Sequence, residues 1–122
     1  MKLSEVEKLL IISVLHHRDR LAAMFPLIWT RGTDRVEYAR DRVEIERAHV
    51  GIVGVDWAGW LGHFPDARER KAGSRAIHRL IADGLLIGHK SGYGDTQIKY
   101  LALTATGEQL AKELTSASEV SA

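Results

Sequence analysis

The sequence predicts a mainly α-helical domain carrying one small β-hairpin, an α+β class. Three observations lead there. Helix-start signatures recur at Ser4-Glu5-Val6-Glu7, Asp34-Arg35-Val36-Glu37 and Asp66-Ala67-Arg68-Glu69, each pairing a capping side chain with a glutamate three residues on. Pro65 and Gly84 bracket the last of these segments as a helix start and stop. After Gly84 the apolar period drops from helical spacing to alternation around the glycine-rich stretch Gly92-Tyr93-Gly94-Asp95. A chain of 122 residues with 45% apolar side chains suits one cored domain, read as 1–115, followed by a flexible Ser/Ala-rich tail, 116–122.

The first element runs from Val6 to about Met24. It is apolar on most sides through Leu15, which predicts a largely buried helix that Pro26 ends. The stretch Pro26–Thr33 reads as a loop anchored by Ile28 and Trp29. Residues 34–50 admit two readings. A helix would place Arg40/Glu44 and Arg42/Glu46 at i,i+4 and put Val36, Ala39, Val43 and Val50 on one face. Tyr38 and Ile45 would then form an opposite face suited to a dimer interface. A hairpin would use the alternation of Val36/Tyr38 and Val43/Ile45. Its turn at Arg40-Asp41 lacks glycine or asparagine, and Glu37 would oppose Glu44, so the helix is favoured.

Gly51–Val55 reads as a short strand or extended link. Asp56 caps a short helix to Leu61, whose Trp57 and Trp60 are expected to wedge into the core. A long helix over about Asp66–Asp83 follows. Gly73 within it costs about 1 kcal/mol relative to alanine, a point at which the helix could break. The segments 85–91 and 96–104 pair as the hairpin, and Thr106–Leu114 forms a terminal helix with Leu110, Ala111 and Leu114 on one face.

The long helix is where chemistry concentrates. At about 100° per residue, Ile77, Leu80 and Ile81 share a core-facing side. Arg68, Lys71, Arg75 and Arg79 line the opposite side, with His78 at its edge. Asp66, Glu69 and Asp83 fall off that ridge. Most solvated faces mix signs, whereas this one is single-signed. Between His63 and Lys99 seven cations face four carboxylates, a local +3 in a chain of net charge +1. Positive charge is therefore gathered on this helix and the hairpin that follows it.

The order of elements, with the residues "SRAIHRLIADGLL" (Ser74–Leu86), "YLALTATGEQLAKEL" (Tyr100–Leu114) and "DWAGWLG" before them, resembles the winged helix-turn-helix family of DNA-binding regulators, MarR- and PadR-like members included. The resemblance covers about Asp56–Leu114, with Val6–Leu15 as the usual first helix. It implies a three-helix core plus wing and C-terminal helix, with an insertion at about 26–55 between the first and second core helices. It further implies sequence-specific binding of double-stranded DNA and a role in transcription regulation. The recognition helix, about 66–83, would enter the major groove, and the wing, about 86–103, would lie on the backbone. Arg75, His78 and Arg79 would meet base edges or nearby phosphates. Arg68, Lys71, Lys90, Ser91, Tyr93 and Lys99 would contact phosphate. About 4–7 neutralised phosphates per subunit would make binding steeply salt-dependent. A homodimer suits paired half-sites. The alternative is a winged-helix module for protein–protein interaction or dimerisation without DNA binding.

Other classes receive little support. The chain has no cysteine, which removes disulfides, thiolate zinc sites and cysteine nucleophiles. Its six histidines form no recognisable ligand spacing, and no glycine loop has phosphate-cradle spacing. The expectation is a non-enzymatic protein with no cofactor and no metal. The most apolar run, Leu9–Leu15, is too short to cross a bilayer and follows acidic residues, so a cytoplasmic protein without membrane association is expected. Trp29, Trp57 and Trp60 suit core packing better than a ligand pocket, which leaves an effector unassigned.

Overall fold

The computed structural model describes residues 2–26, 36–90 and 97–120, and among these the side chains of all but 36–41 and 117–120. The fold is mixed α+β and mostly helical, 65%, with one three-stranded antiparallel sheet. In chain order the elements are α1 (Glu5–Ala22), α2 (Val36–His49), β1 (Ile52–Gly54), α3 (Trp57–Leu61), α4 (Ala67–Ala82), β2 (Leu86–Lys90), β3 (Ile98–Leu103) and α5 (Ala105–Val120).

Helix α1 starts where its capping box requires. The Glu7 amide donates to Ser4 Oγ at 3.2 Å, and the Ser4 amide donates to Glu7 Oε1 at 3.0 Å. Its apolar residues Leu10, Ile11, Val14 and Leu15 are buried, and the helix packs against α2, α4, α5 and the sheet. Burying side chains of this size contributes about 1.5–3 kcal/mol each, which makes α1 the spine of the core. Of the two readings open for residues 34–50, the helix is the one adopted, with Arg42 Nε donating to Glu46 Oε1 at 3.1 Å across one turn.

The faces of α2 correct the sequence reading. Ile45 is only 4% exposed, and Ala48 is buried one turn later, so this is the side turned inward. Val43 and Val50 are exposed instead. Ile45 is thus spent on the chain's own interior and is removed as a dimer contact. Helical spacing had defined the two faces without saying which of them the core would take. The side chain of Tyr38 lies outside the described residues.

Strand β1 pairs with β3 in the register Ile52↔Ala102, Val53↔Leu101 and Gly54↔Tyr100. β2 pairs with the other edge of β3, from Leu86↔Leu103 to His89↔Tyr100, with an irregularity between His89 and Lys90. The sheet order is therefore β1-β3-β2, and Val53, Leu86 and Leu101 supply its buried side chains. The expected glycine-rich tip, 91–96, lies outside the described residues. At the far end of the hairpin, the Thr104 hydroxyl donates to the Gly84 carbonyl at 2.7 Å and accepts from the Gly107 amide at 3.0 Å. One side chain thus ties the exit of α4 to the entry of α5.

Helix α5 continues to Val120, past the expected end at Leu114, so residues 116–120 are helical rather than part of a loose tail. No proline or glycine follows Gly107 to stop it. Trp57 and Trp60 pack at the rim of the core. Trp57 and Trp60 are half-buried and meet edge to face at 5.4 Å between ring centroids.

Candidate functional site

Helix α4 carries the candidate site, and its local chemistry explains its length. The Glu69 amide donates to Asp66 Oδ1 at 2.8 Å, and the Asp66 amide donates to Glu69 Oε1 at 3.1 Å, closing the capping box. Glu69 Oε2 also lies 2.8 Å from His63 Nε2. The Asp66 amide first, and then His63, hold the Glu69 carboxyl below the ordinary glutamate range. Gly84, at φ +75°, takes the left-handed turn that ends the segment. Gly73 does not break the helix. A Cβ at Gly73 would stand 2.6 Å from Cζ2 of Trp57, so the residue must be small for α3 to approach α4.

Gly73, Ala76, Ile77 and Leu80 form the buried stripe of α4. The opposite face bears Arg68, Lys71, Arg75, His78 and Arg79, all exposed. No carboxylate pairs with Arg68, Lys71 or Arg75 among the described residues. Asp66 and Glu69 are occupied at the helix start. Lys90 at the end of β2 and Lys99 on β3 are exposed on the adjacent hairpin. Ser91 and Tyr93 lie outside the described residues. The structure therefore places seven of the nine residues read as a contact surface on α4 and the hairpin beside it.

Arg79 differs from its neighbours. Its Nε stands 3.5 Å from Oε2 of Glu7, a carboxylate on α1 that is 3% exposed. Burial opposes ionisation of Glu7, but the two hydrogen bonds with Ser4 and the charge of Arg79 together hold its pKa below the ordinary value. Arg79 itself is 65% exposed, so only one edge of its guanidinium faces the interior.

Sequence reasoning missed three residues beside the ridge. Arg70, Ser74 and Gln97 line a cleft of about 290 Å³ between α4 and the hairpin, together with His78. Arg70 and Ser74 could have been found on the helical wheel as the flank next to the ridge. Nothing in the sequence said that the hairpin would face that flank. The cleft offers a guanidinium, a hydroxyl, an amide and an imidazole above an apolar floor of Trp57, Ile77 and Ile98. Those groups suit an anionic oxygen ligand.

Two other clefts, of about 400 and 430 Å³, share His17 and Asp56 between α1 and α3. Trp60 Nε1 donates to His17 Nδ1 at 3.3 Å. Burial, and then Arg20, push the His17 pKa down. Arg47 stacks 4.5 Å above the Tyr100 ring at the margin of the first cleft. These linings mix both charge signs and gather no reactive pair. Among the described residues, no group of three or more His, Asp or Glu is placed to hold a metal ion. No described helix is long and apolar enough to cross a membrane. No protein-family model, curated protein or solved structure matches the chain.

Proposed function

We propose that this protein binds double-stranded DNA through a winged helix-turn-helix arrangement and acts as a transcriptional regulator. In this reading α3 and α4 are the helix-turn-helix pair and β2–β3 the wing. The observation that carries it is the exposed, single-signed face of α4, on which Arg68, Lys71 and Arg75 have no carboxylate partner among the described residues. Cations left unneutralised along about 10 Å of one rod suit a polyanion with regularly spaced phosphates. The order β1-β3-β2, with the hairpin following α4 directly, supports the same reading.

Function follows from groove dimensions. A single helix fits the major groove, where arginine can bond guanine O6 and N7 together. His78 and Arg79 on the exposed face are the candidates for base edges, and Arg75 for a nearby phosphate. Arg68 and Lys71 would hold phosphates on the helix side, and Lys90 and Lys99 those on the wing side. The cleft with Arg70 and Ser74 would receive the backbone where it passes between helix and wing. Two copies on adjacent half-sites would multiply both affinity and selectivity.

The test is selection of duplexes from a random pool, followed by fluorescence anisotropy with the recovered sequence. Binding that weakens in Arg75→Ala, with the melting temperature unchanged, is expected. Failure of the wild-type chain to bind any duplex at about 50 mM salt, where phosphate contacts are strongest, overturns the proposal. The protein-binding alternative is favoured by the exposed apolar side chains Met24, Val43 and Val50. A chain that passes through heparin at low salt, yet sediments as a dimer, would establish that alternative.

A further inference from the structure

We propose that Glu7 is a specificity-determining residue: a buried carboxylate that grips the inner edge of Arg79 and fixes its outer edge for recognition of two in-line acceptors. The inference rests on the DNA-binding reading and goes beyond it. It concerns a residue on α1, a helix that carries none of the contact surface.

The helix cap uses only one of the two carboxylate oxygens of Glu7. Glu7 Oε1 accepts from the Ser4 amide at 3.0 Å, which accounts for one carboxylate oxygen. Glu7 Oε2 is buried and has no hydrogen-bond partner among the described residues. A buried carboxylate oxygen without a partner is costly, and the capping role explains only its sister atom. Among the described residues the cation placed to compensate it is Arg79, with Nε at 3.5 Å.

Geometry then divides the guanidinium. Nε faces the carboxylate. The two terminal nitrogens of Arg79 have no acceptor among the described residues, and the side chain is 65% exposed. A planar fork anchored at Nε keeps its terminal N–H groups aimed outward from the ridge. The carboxylate also sets a negative charge against Arg79 that its neighbours on the ridge lack. An arginine with a counter-charge and a fixed orientation adds less to general attraction for phosphate. It adds instead to the difference between a site offering two matched acceptors and one that does not. Arg68, Lys71 and Arg75 have no such counter-charge and supply general affinity. The ridge is thus divided into three cations that attract and one that discriminates.

Glu7→Gln isolates the effect. Glutamine retains an oxygen for the Ser4 amide, so the helix cap survives. With that oxygen turned to Ser4, its NH2 group faces Arg79 Nε, donor against donor, and the anchor is lost. Two duplexes serve as probes: the sequence recovered by selection with the wild-type protein, and a scrambled duplex of the same composition. Glu7→Gln is expected to lower the ratio of the two affinities about tenfold, the size of one lost bidentate contact. Binding to the scrambled duplex should hold steady or strengthen, because a counter-charge has gone. Arg79→Lys, an exposed substitution that leaves the core intact, should reduce the ratio similarly. The double variant should be no worse than either single variant. A ratio unchanged in Glu7→Gln or Arg79→Lys, or additive losses in the double variant, overturns the role of Glu7 while DNA binding stands. Failure of the wild-type protein to bind either duplex overturns the DNA reading itself.

Discussion

The salt dependence of binding tests the ridge most directly. Arg68, Lys71 and Arg75 are exposed on one face of α4 and lack carboxylate partners among the described residues. If each neutralises one phosphate, replacing all three by alanine removes three released counterions. At a slope of about −0.9 per contact, the plot of log affinity against log salt should flatten by about 2.7. Over a fourfold rise in salt, such as 50 to 200 mM, wild-type affinity should then fall about 40-fold more than that of the triple variant. The assay is anisotropy of a labelled duplex of about 20 base pairs titrated at four or five sodium chloride concentrations. The cap of α4, the Gly84 turn and its buried stripe are untouched by these substitutions, so thermal melting should change little. Parallel salt plots for wild type and triple variant would refute the assignment of these cations to phosphates. A flattening of less than one would mean that most of the ridge faces solvent in the complex.

Three further outcomes follow from the fold. Gly73→Ala should destabilise the protein, because overpacking against Trp57 by about 1–3 kcal/mol exceeds the gain of about 1 kcal/mol in helix propensity. In a Trp57→Leu background the same change should turn stabilising, and denaturant midpoints of the four proteins check the reversal. Thr104→Val keeps the side-chain shape but removes both the bond to the Gly84 carbonyl and the one from the Gly107 amide. It should cost about 1–2 kcal/mol in urea unfolding, and a loss below a few tenths would deny the staple between α4 and α5. The lowered Glu7 pKa gives a sign for pH. Its contribution to stability is complete above the ordinary glutamate value of 4.5 and is lost as pH falls through the lower folded value. Melting temperatures should therefore fall with acid less steeply in Glu7→Gln than in wild type, and equal slopes would count against the ion pair.

Elements with their own punctuation were legible from sequence. Ser4/Glu7 and Asp66/Glu69 each close a reciprocal pair of hydrogen bonds within four residues, so no distant part of the chain is needed to set those starts. The turn at Gly84 and the switch to alternation after it are equally local. Where the reading failed, the deciding contact was remote. Residues 34–50 show two apolar faces on a helix, and only the position of the core decides that Ile45 turns inward while Val43 and Val50 turn out. Gly73 looked like a weakness because its justification, the indole of Trp57, sits on another helix.

Arg79 carries that lesson into the site. By spacing alone it belongs with Arg68, Lys71 and Arg75, since all four stack along one side of a rod. Spacing cannot register a carboxylate 72 positions away in the chain that packing brings within 3.5 Å of one of them. Glu7 was fully explained in the sequence as half of a capping box, and that explanation used only one of its two oxygens. The second oxygen, buried and without a hydrogen bond among the described residues, is what makes the four cations unequal. A residue already accounted for by a local motif can therefore hold spare chemistry, and burial is the condition that makes the spare atom matter. In water an idle carboxylate oxygen is solvated at no cost. Inside the fold it needs a cation, and the cation it finds is held in one orientation by that need.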